Sequence, residues 1–214
     1  MRAAFLTGLA AGDDAVLATP VVAAAFALGE SVDAPGATVL EAIIAGAEVA
    51  ARVEIALGAG HRERGWDTRG TCGRLGAAIA AARILGLQRD AMRDAFGIAA
   101  TAASGLTEAR GTMTAAYIVA AAAADGVEAA LLARAEFTGA PLALEGRRGL
   151  AALMSPSFDA AALGAGLGET FTFARSIATV PPEVQASDPV RALVARMERM
   201  ASICELIDAT LAPA

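Results

Sequence analysis

Alanine sets the terms of this chain. It comes in runs, as in "GAAIAAARILG" (76–86) and "MTAAYIVAAAAADG" (113–126), with few bulky side chains between. Alanine has the highest helix propensity and fills little space. Segments of this kind bury apolar surface by letting helix backbones approach closely, which favours crossed helices. The expected fold is all-α, an orthogonal multi-helix bundle. Apolar residues make up 56% of the chain and aromatics only 4%, as a core of small side chains requires.

The helix signals can be placed. One helix is expected after Pro20, ending near Gly29. Thr38 caps the next, with Glu41 three residues later, and it runs to about Gly58. Thr71 caps a helix from Cys72 through Leu85, ended by Gly86. "QRDAMRDAFGIAATAASG" makes another, closing at Gly105. A long helix begins near Met113, and "VEAALLARAEF" continues its register past Asp125 and Gly126. Asp188 or Ser187 caps a last helix, Val190 to Leu211, with Pro189 in its first turn. Strand signals are sparse, and "ETFTFARSIATV" is the best of them.

Much chemistry is excluded by absence. A net charge of −6 and a pI near 4.9 argue against a nucleic-acid partner. All 17 basic residues are arginine, which removes Schiff-base and P-loop lysine chemistry. Cys72 and Cys204 are too few for a disulfide framework and read as reduced thiols. One histidine and two cysteines build no conventional zinc site without several carboxylates, and there is no G-x-S-x-G nucleophile elbow. Neither metal nor cofactor is expected. Apolar runs end at charges or glycines short of the roughly 18 residues of a membrane span. Asp13 and Asp14 likewise cut short a signal-like N-terminus. A cytoplasmic protein that acts on a small molecule, without a membrane partner, is the expectation.

One stretch stands apart. "AGHRERGWDTRGTCGRLG" (59–76) holds the only histidine, His61, and the only tryptophan, Trp66. Arg62, Arg64, Asp67, Arg69 and Cys72 crowd around them. A second polar turn, "LTEARGTMT", carries Arg110, Thr112 and Thr114, with Tyr117 just beyond.

Several segments together resemble the helical domain of the MmgE/PrpD family. They are "EAIIAGAEVAARVEIALGAGH", "ERGWDTRGTCGRLGAAIAAARILGL", "FGIAATAASGL", "RGTMT", "GVEAALLARAEFTGAPLALEGRRG" and "GLGETF". The likeness is collinear from near Phe5 to about Val180. It implies cofactor-free acid/base chemistry on small polycarboxylates, as in 2-methylcitrate dehydratase, cis-aconitate decarboxylase and iminodisuccinate epimerase. It also implies a single helical domain over 1–214 that lacks the family's first helices, with the α+β lid deleted near 180–188.

The family's proton-transfer residues are largely replaced. Its Asp-Asp-Thr-His segment becomes "AAGDDAVLATPVV", which keeps Asp13 and Asp14 but neither histidine. Its Gly-Phe-His-Pro-Thr-Gly loop becomes Gly65, Trp66, Asp67, Thr68, Arg69, Gly70, so Asp67 stands where the histidine would be. Its Thr-Lys-x-x-His becomes Thr114, Ala115, Ala116, Tyr117, Ile118, and its Lys-x-Tyr-Pro becomes Ala178, Thr179, Val180, Pro181.

Two readings follow. In the first, a new site has replaced the old one and performs a lyase, isomerase or cyclase step, on a substrate that includes natural-product intermediates. Asp67, His61 and Tyr117 are its catalytic candidates. Arg69, Arg110, Trp66, Thr71, Thr114 and Asp14 are its substrate-binding candidates, the arginines as bidentate carboxylate ligands. In the second, the chain is a non-catalytic pseudoenzyme or helical partner. His61 is then a cap, the arginines pair with Glu63, Asp67 and Glu108, and Trp66 plugs the core. Either way, lost helices and a lost lid uncover apolar surface, and a homodimer or other homo-oligomer is expected.

Overall fold

The structure is a computed structural model that describes residues 16–173 and 195–205. Eight α-helices lie within them: α1 (Thr19–Ser31), α2 (Gly36–Leu57), α3 (Ala59–Glu63), α4 (Cys72–Ile84), α5 (Arg89–Ala102), α6 (Met113–Arg134), α7 (Leu150–Met154) and α8 (Ala160–Gly164). No strand occurs among the described residues, so the fold is all-α.

α4 is the axle. It packs against α1, α2, α5 and α6, and every residue from Cys72 to Ala82 is buried. A helix surrounded on all sides cannot be amphipathic, which is why its sequence is apolar around the whole circumference. Small residues make the crossings possible. A Cβ on Gly76 would collide with the Gly46 carbonyl oxygen of α2, and Gly126 of α6 lies equally tight on Ala77. By length and composition α6 qualifies as a membrane span. Instead it packs on α4 and α5, with buried Ala115, Val119, Ala123 and Val127.

Several local expectations need correction. α2 begins at Gly36, after Pro35, and Thr38 makes no capping hydrogen bond. α4 starts after Thr71 as expected, but that hydroxyl makes no capping hydrogen bond and lies instead 2.9 Å from His61 Nε2. Residues 169–173 form turns, not a strand, and the rest of that candidate lies outside the described residues. The expected last helix is absent over 195–202, where a 3₁₀ turn, Met197–Arg199, seats Met197 and Met200 beside Val39. There Gly36 donates to the Met200 carbonyl (3.0 Å) and Ile203 to the Ala34 carbonyl (2.9 Å), so tertiary pairing replaces helical pairing. The 180–188 junction lies outside the described residues.

Candidate functional site

α2 stops at Gly58, whose positive φ of 68° no β-carbon favours, and the single turn of α3 then presents His61. Gly65 (φ 92°) turns the chain again. From here the backbone pairs with the second polar turn: Thr107 donates to the Gly65 carbonyl (2.8 Å) and Asp67 to the Gly105 carbonyl (3.0 Å). Trp66 and Leu106 form an isolated antiparallel bridge. Gly70 allows this approach, since a side chain there would strike the Ser104 carbonyl oxygen. The two loops expected to carry the site are thus joined at one end of the bundle.

Asp67 and Arg69 are buried and bound to each other. Arg69 Nε donates to Oδ1 (2.9 Å), Nη2 to Oδ2 (2.6 Å), and the Arg69 amide also donates to Oδ1 (2.9 Å). Burial is the largest single influence on this carboxyl and pushes its pKa up. The Arg69 hydrogen bonds and charge, the Arg69 amide and the charge of Arg110 together outweigh it, so the pKa falls below the usual 3.8. Asp67 is therefore held as a carboxylate and is a weak proton acceptor.

His61 is only 1% exposed, and both ring nitrogens are engaged. Nδ1 lies 3.2 Å from the Met154 carbonyl and Nε2 2.9 Å from Thr71 Oγ1. A carbonyl only accepts, so Nδ1 carries the proton and Nε2 of the neutral ring accepts from the Thr71 hydroxyl. Burial is the main cause of a lowered pKa, opposed by the Met154 carbonyl and aided by Arg62, and keeps the ring neutral. The Trp66 ring stacks on it at 6.4 Å and 15°. Burial also pushes the Cys72 thiol up to about 12, which makes it a packing residue.

The remaining candidates face outward. Arg110, Thr112, Thr114 and Tyr117 are all exposed, Tyr117 by 53%. Thr112 caps α6, accepting from the Thr114 amide (3.2 Å). Arg62 pairs with Glu54 at 3.7 Å, and Arg64 is exposed. Asp13 and Asp14 lie outside the described residues. No group of three His, Cys, Asp or Glu side chains able to hold a metal occurs among the described residues.

Sequence reasoning missed Arg74. It is buried in α4 beneath both loops, donating to the Gly70 carbonyl (3.0 Å) and to Ser104 Oγ (3.3 Å) and pairing with Asp125 of α6. Burial brings its pKa down to about 10, opposed by nearby Tyr117. The signal was available: an arginine inside an otherwise alanine-, glycine- and leucine-filled helix needs a buried partner.

The model of the MmgE/PrpD N-terminal domain family matches residues 10–162. No curated protein shows significant similarity to the chain.

Proposed function

The chain belongs to the MmgE/PrpD family through its helical N-terminal domain, and on that premise we propose that it performs a cofactor-free lyase, isomerase or cyclase step on a small carboxylate. The family link supports lyase-type chemistry in general; the roles of individual residues are this proposal's own. Arg110 binds a substrate carboxylate, and the Tyr117 oxygen takes a proton from the carbon beside it and returns one to that carbon or to the leaving group. Asp67, Arg69, His61 and Thr71 hold the loop that presents them, and Trp66 forms its wall. Thr114 and Asp14 are the further substrate-binding candidates of this reading. The observation that carries this reading is the backbone pairing of 65–70 with 104–107, which sets Arg110 within the electrostatic reach of Asp67.

Such a site is open as it stands. Leu106 (58% exposed) and Met113 (92% exposed) flank Arg110 in sequence, and a second copy covering them would exclude water from Tyr117. A cytoplasmic homodimer is part of the proposal. The test is proton exchange in D₂O, followed by NMR over a panel of small di- and tricarboxylates. Deuterium entry next to a carboxylate is expected, falling about 100-fold or more in Tyr117→Phe and Arg110→Gln.

A second reading has its own support. Asp67 and His61, two of the three catalytic candidates, have their hydrogen-bonding groups taken by neighbours. A non-catalytic helical partner would show no exchange on any panel member, and both variants would leave its oligomeric state as the only changed property.

A further inference from the structure

Behind Met154, whose carbonyl holds His61, the chain folds into a separate cleft of about 720 Å³. It lies between the end of α5, the loop 140–149 and α7, and none of the residues assigned above lines it. Its walls are mostly apolar: Ala100, Ala103, Leu142, Leu150, Leu153 and Met154. The volume falls within the range of roughly 300–1,000 Å³ usual for small-molecule sites. Two arginines, Arg147 and Arg148, are among its lining residues, and no acidic residue is. Glu145 is their neighbour in sequence but does not line the cleft. The Asp94 carboxylate does not line it either, and accepts from the Gly139 amide (3.0 Å). Neither arginine has an ion pair among the described residues. In a chain of net charge −6, two consecutive cations with no ion-pair partner among the described residues, beside an apolar hollow, form a local exception.

We propose that this cleft binds an amphipathic organic anion, a carboxylate carried on an apolar ring or chain. The guanidinium groups of Arg147 and Arg148 hold the head, since the planar fork of arginine matches two carboxylate oxygens. The apolar body lies along Leu142, Leu150 and Leu153 and leaves water there. A neutral analogue of the same shape keeps the second interaction and loses the first. A hydrophilic dicarboxylate keeps the first and loses the second. The site is independent of the acid/base reading above, because binding here needs neither Tyr117 nor Arg110.

The sole histidine supplies a reporter. Met154 lines the cleft and its carbonyl accepts from His61 Nδ1, so a ligand seated against Met154 perturbs the only imidazole signals in the spectrum. The experiment titrates the full chain with 1-naphthaleneacetate and, separately, with its neutral amide, following the His61 ring resonances by NMR and the heat by calorimetry. The acetate is expected to bind saturably at one site and to shift the His61 signals, with the amide at least tenfold weaker. Arg147→Gln/Arg148→Gln should bring the acetate down to the amide and leave the amide unchanged. Leu153→Glu, at a surface position that does not threaten folding, should weaken both ligands. Equal binding of acetate and amide, binding that survives both sets of changes, saturation without movement of the His61 signals, or no saturable binding at millimolar ligand would each overturn the assignment.

Discussion

Among the described residues, two ion pairs have both partners buried, and they do different work. Asp67 and Arg69 are two residues apart in a loop, and the carboxylate also accepts the Arg69 amide, so the pair fixes the loop's own conformation. Glu48 and Arg52 sit one turn apart on α2, at 2.6 Å, and hold another segment. Arg52 donates to the carbonyls of Leu163 (3.1 Å), Ala165 (2.8 Å) and Thr170 (3.3 Å), and Glu48 accepts from the Phe173 amide (3.1 Å). Burial, the largest influence, pushes the Glu48 pKa up, but the Thr172 and Phe173 amides and Arg52 bring it below 4.5. One pair shapes a turn; the other straps residues 163–173 to the bundle. Charge buried for local shape should fail globally when broken, and charge buried for docking should fail locally.

The largest test breaks the first pair. Asp67→Ala leaves the Arg69 guanidinium buried without its carboxylate and removes the acceptor of its amide. A loss of about 3–5 kcal/mol is expected, measured by urea unfolding. Arg52→Met tests the second and should cost less, about 2–3 kcal/mol, because the strap can leave and let water reach Glu48. Limited proteolysis should then cut within 163–173 while the helices survive. If Arg52→Met lowered stability as much as Asp67→Ala, with no new cleavage in the strap, the distinction would be wrong.

The same contrast explains what could be read in advance. Helices α2, α4, α5 and α6 were legible because alanine spacing, Gly58, Gly86 and the Thr112–Met113 boundary are local signals. That the two polar stretches share one site came from family resemblance, and the backbone pairing of Gly65 with Thr107 gives it physical form. The pairing of Asp67 with Arg69 was one of the alternatives weighed, because both residues sit in one loop. Glu48–Arg52 was not seen: an i,i+4 pair on a helix ordinarily faces water, and nothing local says that a segment some 110 residues later will cover it. Residues 195–202 escaped for the same reason. Their pattern reads as helix, while pairing with Gly36 and Ala34 holds them otherwise.

A smaller effect separates shape from chemistry within the first region. Thr71→Val keeps the volume but removes the hydroxyl that donates to His61 Nε2, leaving a buried acceptor unpaired. A loss of about 1–3 kcal/mol is expected. Thr71→Ser should recover most of it, since the hydroxyl returns.

The smallest effect concerns protons, and it divides the two regions by pH. The native pKa of His61 lies below its unfolded value of 6.5, so the unfolded chain binds more protons once pH drops under 6.5. Stability is then complete above 6.5 and declines as pH falls towards the native pKa of the ring. Asp67 and Glu48 have carboxyl pKa values below their unfolded 3.8 and 4.5. Their contributions are present above those values and are lost only at more acid pH, as each falls through its native pKa. The decline beginning at 6.5 therefore belongs to the loop alone. His61→Gln should flatten it and leave the acid limb in place, whereas Arg52→Met should leave the histidine limb and change the acid one. Chemical denaturation at closely spaced pH values between 3 and 8 reads both limbs, and a histidine limb that survives His61→Gln would mean that the ring is not what the loop's acid sensitivity rests on.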